Sequence, residues 1–130
     1  MKRLTFFIWV GALLFASVAM AQDTTIIVKR AAICTSVVDR EPAGQDSTFA
    51  DSTRALYCFN ELEGAVGQVV HTWYYGDKMM FEKVLDKGRE GRWRTWSQKN
   101  LIKEWTGAWR VDVKDTAGNV LKSVSFEYGK

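Results

Sequence analysis

The order of apolar and polar positions along this chain is that of strands. Beyond residue 21 no stretch carries a 3.6-residue apolar repeat over three turns, whereas two-residue alternation and short β-prone runs recur. Residues 26–34 read as a first strand, and residues 55–62, rich in aromatic and β-favouring side chains, as a second. Between them lies a long polar loop with the sole proline, Pro42, then Gly44 and the Asp/Ser/Thr-rich residues 46–53, pinned by Phe49. Residues 68–75 and 79–85 flank Gly76-Asp77, where glycine at the first central position permits the positive φ of a type II′ hairpin turn. A two-residue turn sets Trp73 across from Met80 and His71 across from Glu82; a three-residue turn shifts each pair by one. Residues 92–97 form a further strand, and residues 101–105 read as either a loop or a single helical turn. Trp109, Val111 and Val113 alternate with Arg110, Asp112 and Lys114, residues 115–119 supply turn chemistry, and residues 120–128 return. Trp73 and Trp109 each sit in an alternating strand and are assigned to the core. About seven short strands predict an all-β fold, an immunoglobulin-like β-sandwich, with a small β-barrel as the alternative.

The N-terminus follows a different pattern. Lys2 and Arg3, an apolar run over residues 4–20 and the small-x-small ending Ala19-Met20-Ala21 describe a secretory signal peptide over residues 1–21. Residues 22–130 then form one domain of ordinary size, exported to the periplasm or secreted. No cysteine stands at the cut, so no lipid anchor is expected. If uncut, the run is an inner-membrane anchor at the lower limit of spanning length. Loss of Lys2 and Arg3 reduces the formal charge from +3 to +1, 16 basic against 15 acidic residues, which gives no support to nucleic-acid binding. Cys34 and Cys58 are the only cysteines, and an exported pair is expected to form a disulfide, worth about 3 to 4 kcal/mol in the chain-entropy account; two buried thiols are the rival reading. An immunoglobulin disulfide joins well-separated strands across the sheets, whereas these cysteines fall on the first two strands, so the likeness is one of architecture only.

Charge is unevenly placed. Asp39, Glu41, Asp46, Asp51, Glu61 and Glu63 make residues 39–63 acidic; Lys87, Arg89, Arg92, Arg94, Lys99 and Lys103 make residues 87–103 basic. Two such regions attract a partner or each other. Catalytic groups are scarce: His71 is the only histidine, no third group is identifiable to orient it beside a nucleophile, and no nucleophile elbow, phosphate loop or zinc spacing is present, so no enzyme activity and no cofactor are expected. His71 and Met80 are weak copper candidates, but two ligands are too few, and Met80 on Trp73 with His71 paired to Glu82 or a backbone group is the simpler account.

The strongest candidate for function is 92–97. In an extended chain Trp93, Thr95 and Ser97 share one face and Arg92, Arg94 and Trp96 the other, so both indoles cannot enter one core. An exposed Trp96 between Arg92 and Arg94 suits sugar rings, anionic glycans or an acidic protein surface; a self-contained stack of guanidinium groups on the indole is the competing reading. Asp39-Arg40-Glu41-Pro42 opens the long loop as a second recognition candidate, with a local pairing of Arg40 to an acid as the alternative.

The segments Arg30-Ala31-Ala32-Ile33-Cys34, Asp39-Arg40-Glu41-Pro42, Leu56-Tyr57-Cys58-Phe59, His71-Thr72-Trp73, Arg92-Trp93-Arg94-Thr95-Trp96-Ser97 and Gly107-Ala108-Trp109-Arg110-Val111, in this order, resemble a family of exported bacterial domains of unknown function, family 2914. The resemblance implies a Gram-negative envelope or secreted setting and one compact domain, and supplies no activity, substrate or site. The expectation is a non-catalytic module that binds an envelope protein or a glycan, with a structural or assembly subunit as the alternative and a copper carrier or enzyme as the weakest reading.

Overall fold

A computed structural model describes residues 25–129; the expected signal peptide lies outside the described residues. In chain order the strands are β1 (Ile26–Cys34), β2 (Ser36–Val38), β3 (Glu41–Ala43), β4 (Thr48–Phe49), β5 (Ala55–Gly64), β6 (Gly67–Tyr75), β7 (Lys78–Lys87), β8 (Trp93–Asn100), β9 (Gly107–Lys114) and β10 (Val120–Tyr128). A single 3-10 turn, Lys103–Trp105, joins β8 to β9, which settles the reading of 101–105 as one helical turn. Seven of these strands are long, as the alternation predicted, and the three short ones occupy the segment read as loop.

The long strands form two sheets, one ordered β1-β5-β8 and the other β4-β10-β9-β6-β7. Their inner faces meet in a core of Ile33, Leu56 and Cys58 from the first sheet and Trp73, Trp109, Val111, Phe126 and Tyr128 from the second. This is an all-β, immunoglobulin-like two-sheet sandwich and not a closed barrel. Phe126 stacks on Trp109 at 5.9 Å between centroids and meets Phe49 edge-on, so the expected pin at Phe49 is a core contact. Tyr128 donates its hydroxyl to the carbonyls of Asp51 and Thr53, tying the loop to β10.

Three features differ from the sequence reading. Residues 36–43 are a hairpin: Val38 pairs with Glu41 across Asp39 and Arg40, both at positive φ (52° and 64°), the conformation a type I′ turn needs. The Gly76-Asp77 turn has two residues, Tyr75 opposite Lys78, with Gly76 at φ 59°, but a bulge at Trp73/Tyr74 moves the register one step further on. Trp73 therefore faces Phe81, not Met80, and His71 faces Lys83, not Glu82. Finally, Cys34 and Cys58 are buried free thiols where a disulfide was expected. Cys34 lies across from Tyr57 and Cys58 from Ile33. Alternation along β5 sends Tyr57 and Cys58 to opposite faces, so the two thiols do not share one. Burial raises the pKa of both, that of Cys58 far more.

Candidate functional site

Register across the three-stranded sheet sorts the β8 side chains. Trp93 lies opposite Leu62, Thr95 opposite Asn60 and Ser97 opposite Cys58; Arg94 lies opposite Glu61 and Trp96 opposite Phe59. Trp93 packs beside the smaller core cluster of Leu62, Val69, Leu85 and Val113, and its indole N–H donates to the Asp86 carbonyl at 2.9 Å. Trp96 is on the outer face, half-buried, stacked on Phe59 with 6.4 Å between centroids and 14° between planes. The division of the two indoles between faces follows directly from the β period.

On that outer face the chain brings together more than the segment 92–97. Arg30 of β1 lies over the Phe59 ring at 5.1 Å and forks onto Glu41, its Nη1 and Nη2 each 3.0 Å from one carboxylate oxygen. Arg94 Nη1 reaches Glu41 Oε2 at 2.6 Å, and Arg92 Nη2 reaches the same oxygen at 3.3 Å. Glu61 receives Arg30 Nη2 at 2.7 Å and Arg92 Nε at 3.2 Å. The oppositely charged regions thus attract each other: Glu41 and Glu61 from the acidic stretch meet Arg92 and Arg94 from the basic one. Guanidinium bonds from Arg30, then Arg94, hold the Glu41 carboxyl down to about 2, and those from Arg30 also lower Glu61. Arg30 and Arg92 remain well exposed, with side chains at 40% and 58%. Arg94 is mostly covered, and its Nε is buried without a partner.

The guanidinium groups of Arg92 and Arg94 are therefore placed by carboxylates, and the aromatic contact is made by Arg30 on Phe59. Arg40 is not the arginine that pairs with Glu41; Arg30, Arg92 and Arg94 are. Sequence reasoning placed Glu61 only in the acidic stretch, where complementary charge was the signal for it, and missed Arg30 and Phe59, which lie outside that signal. Pro42, next to Glu41, lines a cleft of about 250 Å³ with Arg30, Ala32, Gln45 and Phe59.

A second polar cluster lies between the sheets. His71 is wholly buried, with Nδ1 2.7 Å from Ser97 Oγ and Nε2 2.6 Å from Asn60 Oδ1. Trp73 Nε1 donates to Ser97 Oγ at 3.0 Å, and Asn60 Nδ2 donates to the Phe59 carbonyl at 2.9 Å. These contacts and burial together set the proton pattern. Asn60 Nδ2 is spent on carbonyls, so its Oδ1 accepts from Nε2–H, and in the neutral imidazole that burial favours Nδ1 accepts from the Ser97 hydroxyl, which in turn accepts from Trp73. Burial pushes His71 down to about 4. The third group beside His71 that the sequence did not reveal is Asn60. Neither ring nitrogen is left for a metal, Met80 packs against the main apolar cluster, and Glu82, expected near His71, instead accepts from Thr72 Oγ1.

Residues 67–128 match the model of a family described as "Protein of unknown function (DUF2914)", the family that the sequence motifs resemble. The matched stretch contains Arg92, Arg94 and Trp96, while Arg30, Glu41 and Glu61 precede it. Among solved structures, an immunoglobulin-like protein from Pseudomonas aeruginosa is similar at 13% identity over 85% of this chain and 98% of that one, with a TM-score of 0.47. No curated protein matches the sequence.

Proposed function

We propose that this protein is an exported, non-catalytic binding module of the cell envelope, with a protein or a glycan as partner, that works through the outer face of the three-stranded sheet. One observation carries the reading. Arg30, Arg92 and Arg94 converge on Glu41 and Glu61 beside the half-buried indole of Trp96, which rests on the buried Phe59 ring, so charged donors and one partly accessible aromatic side chain share a face. Guanidinium groups and aromatic rings are the side chains that dominate recognition surfaces. The groups with acid–base character support the non-catalytic part: Ser97, His71 and Asn60 are 3%, 0% and 0% exposed, and both imidazole nitrogens are spent inside the core.

The test is co-sedimentation of the purified protein with isolated peptidoglycan, outer membrane and inner membrane, beside an Arg92→Ala/Arg94→Ala/Trp96→Ala variant whose fold is checked by circular dichroism. Binding to one fraction that the variant loses supports the reading; equal binding by both removes this face from it.

The second reading is an assembly subunit, favoured by the outer edge of β7, which among the described residues pairs only with β6. An exposed ten-residue edge is a template for another strand, although Lys78, Glu82, Lys83 and Asp86 oppose casual pairing. Light scattering separates the two readings, because edge docking raises the oligomer mass and a monomer excludes it.

A further inference from the structure

We infer that the three-arginine cage is a docking site for an extended acidic segment of a partner protein, and that Glu41-Pro42 of the β2–β3 hairpin occupies it as an internal stand-in. The inference rests on the reading that this face binds a partner, and it names the partner's chemistry and what holds the site closed.

Glu41 supplies the chemistry. Its carboxylate takes bonds from three guanidinium groups drawn from β1, the β7–β8 connection and β8, the fork-to-carboxylate geometry that arginine recognises best. It arrives on an extended strand of three residues, and the proline that follows it lies along the cleft beside Phe59. The occupant is thus an extended acidic residue next to an apolar one, and its seat has a charged end at the guanidinium groups and a cleft end lined by Ala32 and Gln45 over the buried Phe59.

The hairpin is a weak cover. It has three residues per strand, its turn holds two non-glycine residues at positive φ, and Val38 at its tip is 55% exposed. Non-glycine residues in the left-handed region cost free energy that neighbouring contacts must offset. The cage is also under-used. Arg94 has five donors but makes one hydrogen bond, from Nη1 to Glu41, while its Nε is buried and unpaired. With Glu41 withdrawn, three guanidinium groups face Glu61 alone, a local excess of two positive charges. A protein segment is favoured over a glycan because the seat is filled here by peptide.

The probe is an acetylated, amidated peptide of residues 38–45, added to isotope-labelled protein while the arginine Nε–H and Trp96 indole signals are followed by NMR. A tethered occupant competes at millimolar or higher effective concentration, so Glu41→Gln protein binds the peptide at least tenfold more tightly than wild type. The same peptide with its Glu replaced by Gln fails to bind, and Glu41→Gln/Arg94→Gln protein loses the peptide. Glu41→Ala is measured in parallel, and the amide spectrum verifies each fold. Equal affinity for wild type and both Glu41 variants, or no binding to folded variants, overturns the inference. Envelope co-sedimentation keeps the two failures apart. A fraction bound equally by wild type and Glu41→Gln but lost by the Arg92/Arg94/Trp96 variant leaves the binding face standing and removes Glu41 as its cover.

Discussion

Acidifying the protein from pH 7 to pH 5 is expected to lower its stability through one side chain. His71 is the sole histidine, is wholly buried, and has its proton affinity pushed from 6.5 down to about 4 because burial penalises the imidazolium. The folded state therefore binds fewer protons than the unfolded chain between those values, and linkage requires stability to rise with pH across that window. At pH 7 the folded imidazole is neutral and only about a quarter of unfolded ones carry a proton, worth about 0.2 kcal/mol. At pH 5 the unfolded imidazole is almost fully charged while the folded one is not, which amounts to about 2 kcal/mol, growing to about 3 kcal/mol at pH 4. The carboxylates whose affinities are displaced, Glu41, Glu61 and Asp115, are displaced downward from ordinary values below 5, so protonation of their unfolded forms adds little between pH 7 and pH 5. Urea unfolding at pH 7, 6 and 5 should show the midpoint falling by about 1 to 2 M overall, given m-values of about 1 to 2 kcal/mol/M for a domain this size. His71→Gln, which keeps a donor and an acceptor but cannot titrate, should start lower and show no slope between pH 7 and pH 5. A flat wild-type profile, or an equal slope in the variant, refutes the proton pattern assigned to the core.

Ser97→Ala leaves Trp73 Nε1 and His71 Nδ1 without their partner, and a loss of about 2 to 4 kcal/mol in chemical denaturation is expected from two stranded buried groups. Lys87 is buried and donates to the carbonyls of Gly64 and Gly88, so Lys87→Ala should cost about 2 to 4 kcal/mol, and Lys87→Met, which refills the volume, visibly less. Because arginine bonds hold Glu41 down to about 2, its carboxyl should remain ionised at pH 4 in folded wild-type protein; its contribution to stability is present above the ordinary glutamate range and is lost as pH falls through about 2. Carbon-13 chemical shifts of the carboxyl read this, and Arg30→Ala should move the midpoint upward. Thiol titration of the unreduced protein should find two reactive groups in denaturant and almost none in its absence; no thiols in denaturant would restore the disulfide.

The strands were legible because each long one keeps its own local signal. Val111 and Val113 against Asp112 and Lys114 spell out β9, and 26–34 matches β1 end to end. The register of β6 on β7 was not, because it depends on a bulge. The extra residue, Met80, has no partner on β6, an irregularity that no dipeptide announces. The β2–β3 hairpin was hidden for a related reason: its turn uses Asp39 and Arg40 at positive φ where the pattern reader looks for glycine. The same three-residue strands carry Glu41 to the arginines, so without the hairpin Glu41 was legible as part of a recognition loop but not as the arginines' partner. Opposite faces for Trp93 and Trp96 needed only the two-residue period, but the partners Arg30 and Glu61 come from strands whose adjacency is a matter of topology.

The two polar clusters of this molecule contain the same kinds of groups as functional sites elsewhere, and hydrogen-bond accounting separates them. Ser97, His71 and Asn60 stand as nucleophile, base and orienting amide would, yet the chain closes on itself: Trp73 donates in at one end and the Phe59 carbonyl accepts at the other. A fully satisfied buried network joins the two sheets and fixes their alignment, and it has no donor to spend on a substrate. The outer cluster has the opposite balance. Three guanidinium groups meet two carboxylates, and Arg94 retains a buried donor with nothing to bind. Surplus donors beside a partly accessible indole at the surface are what recognition requires, and surplus in the core is what folding eliminates. Function is therefore to be sought where the accounting fails to close, on the face that Glu41 now covers.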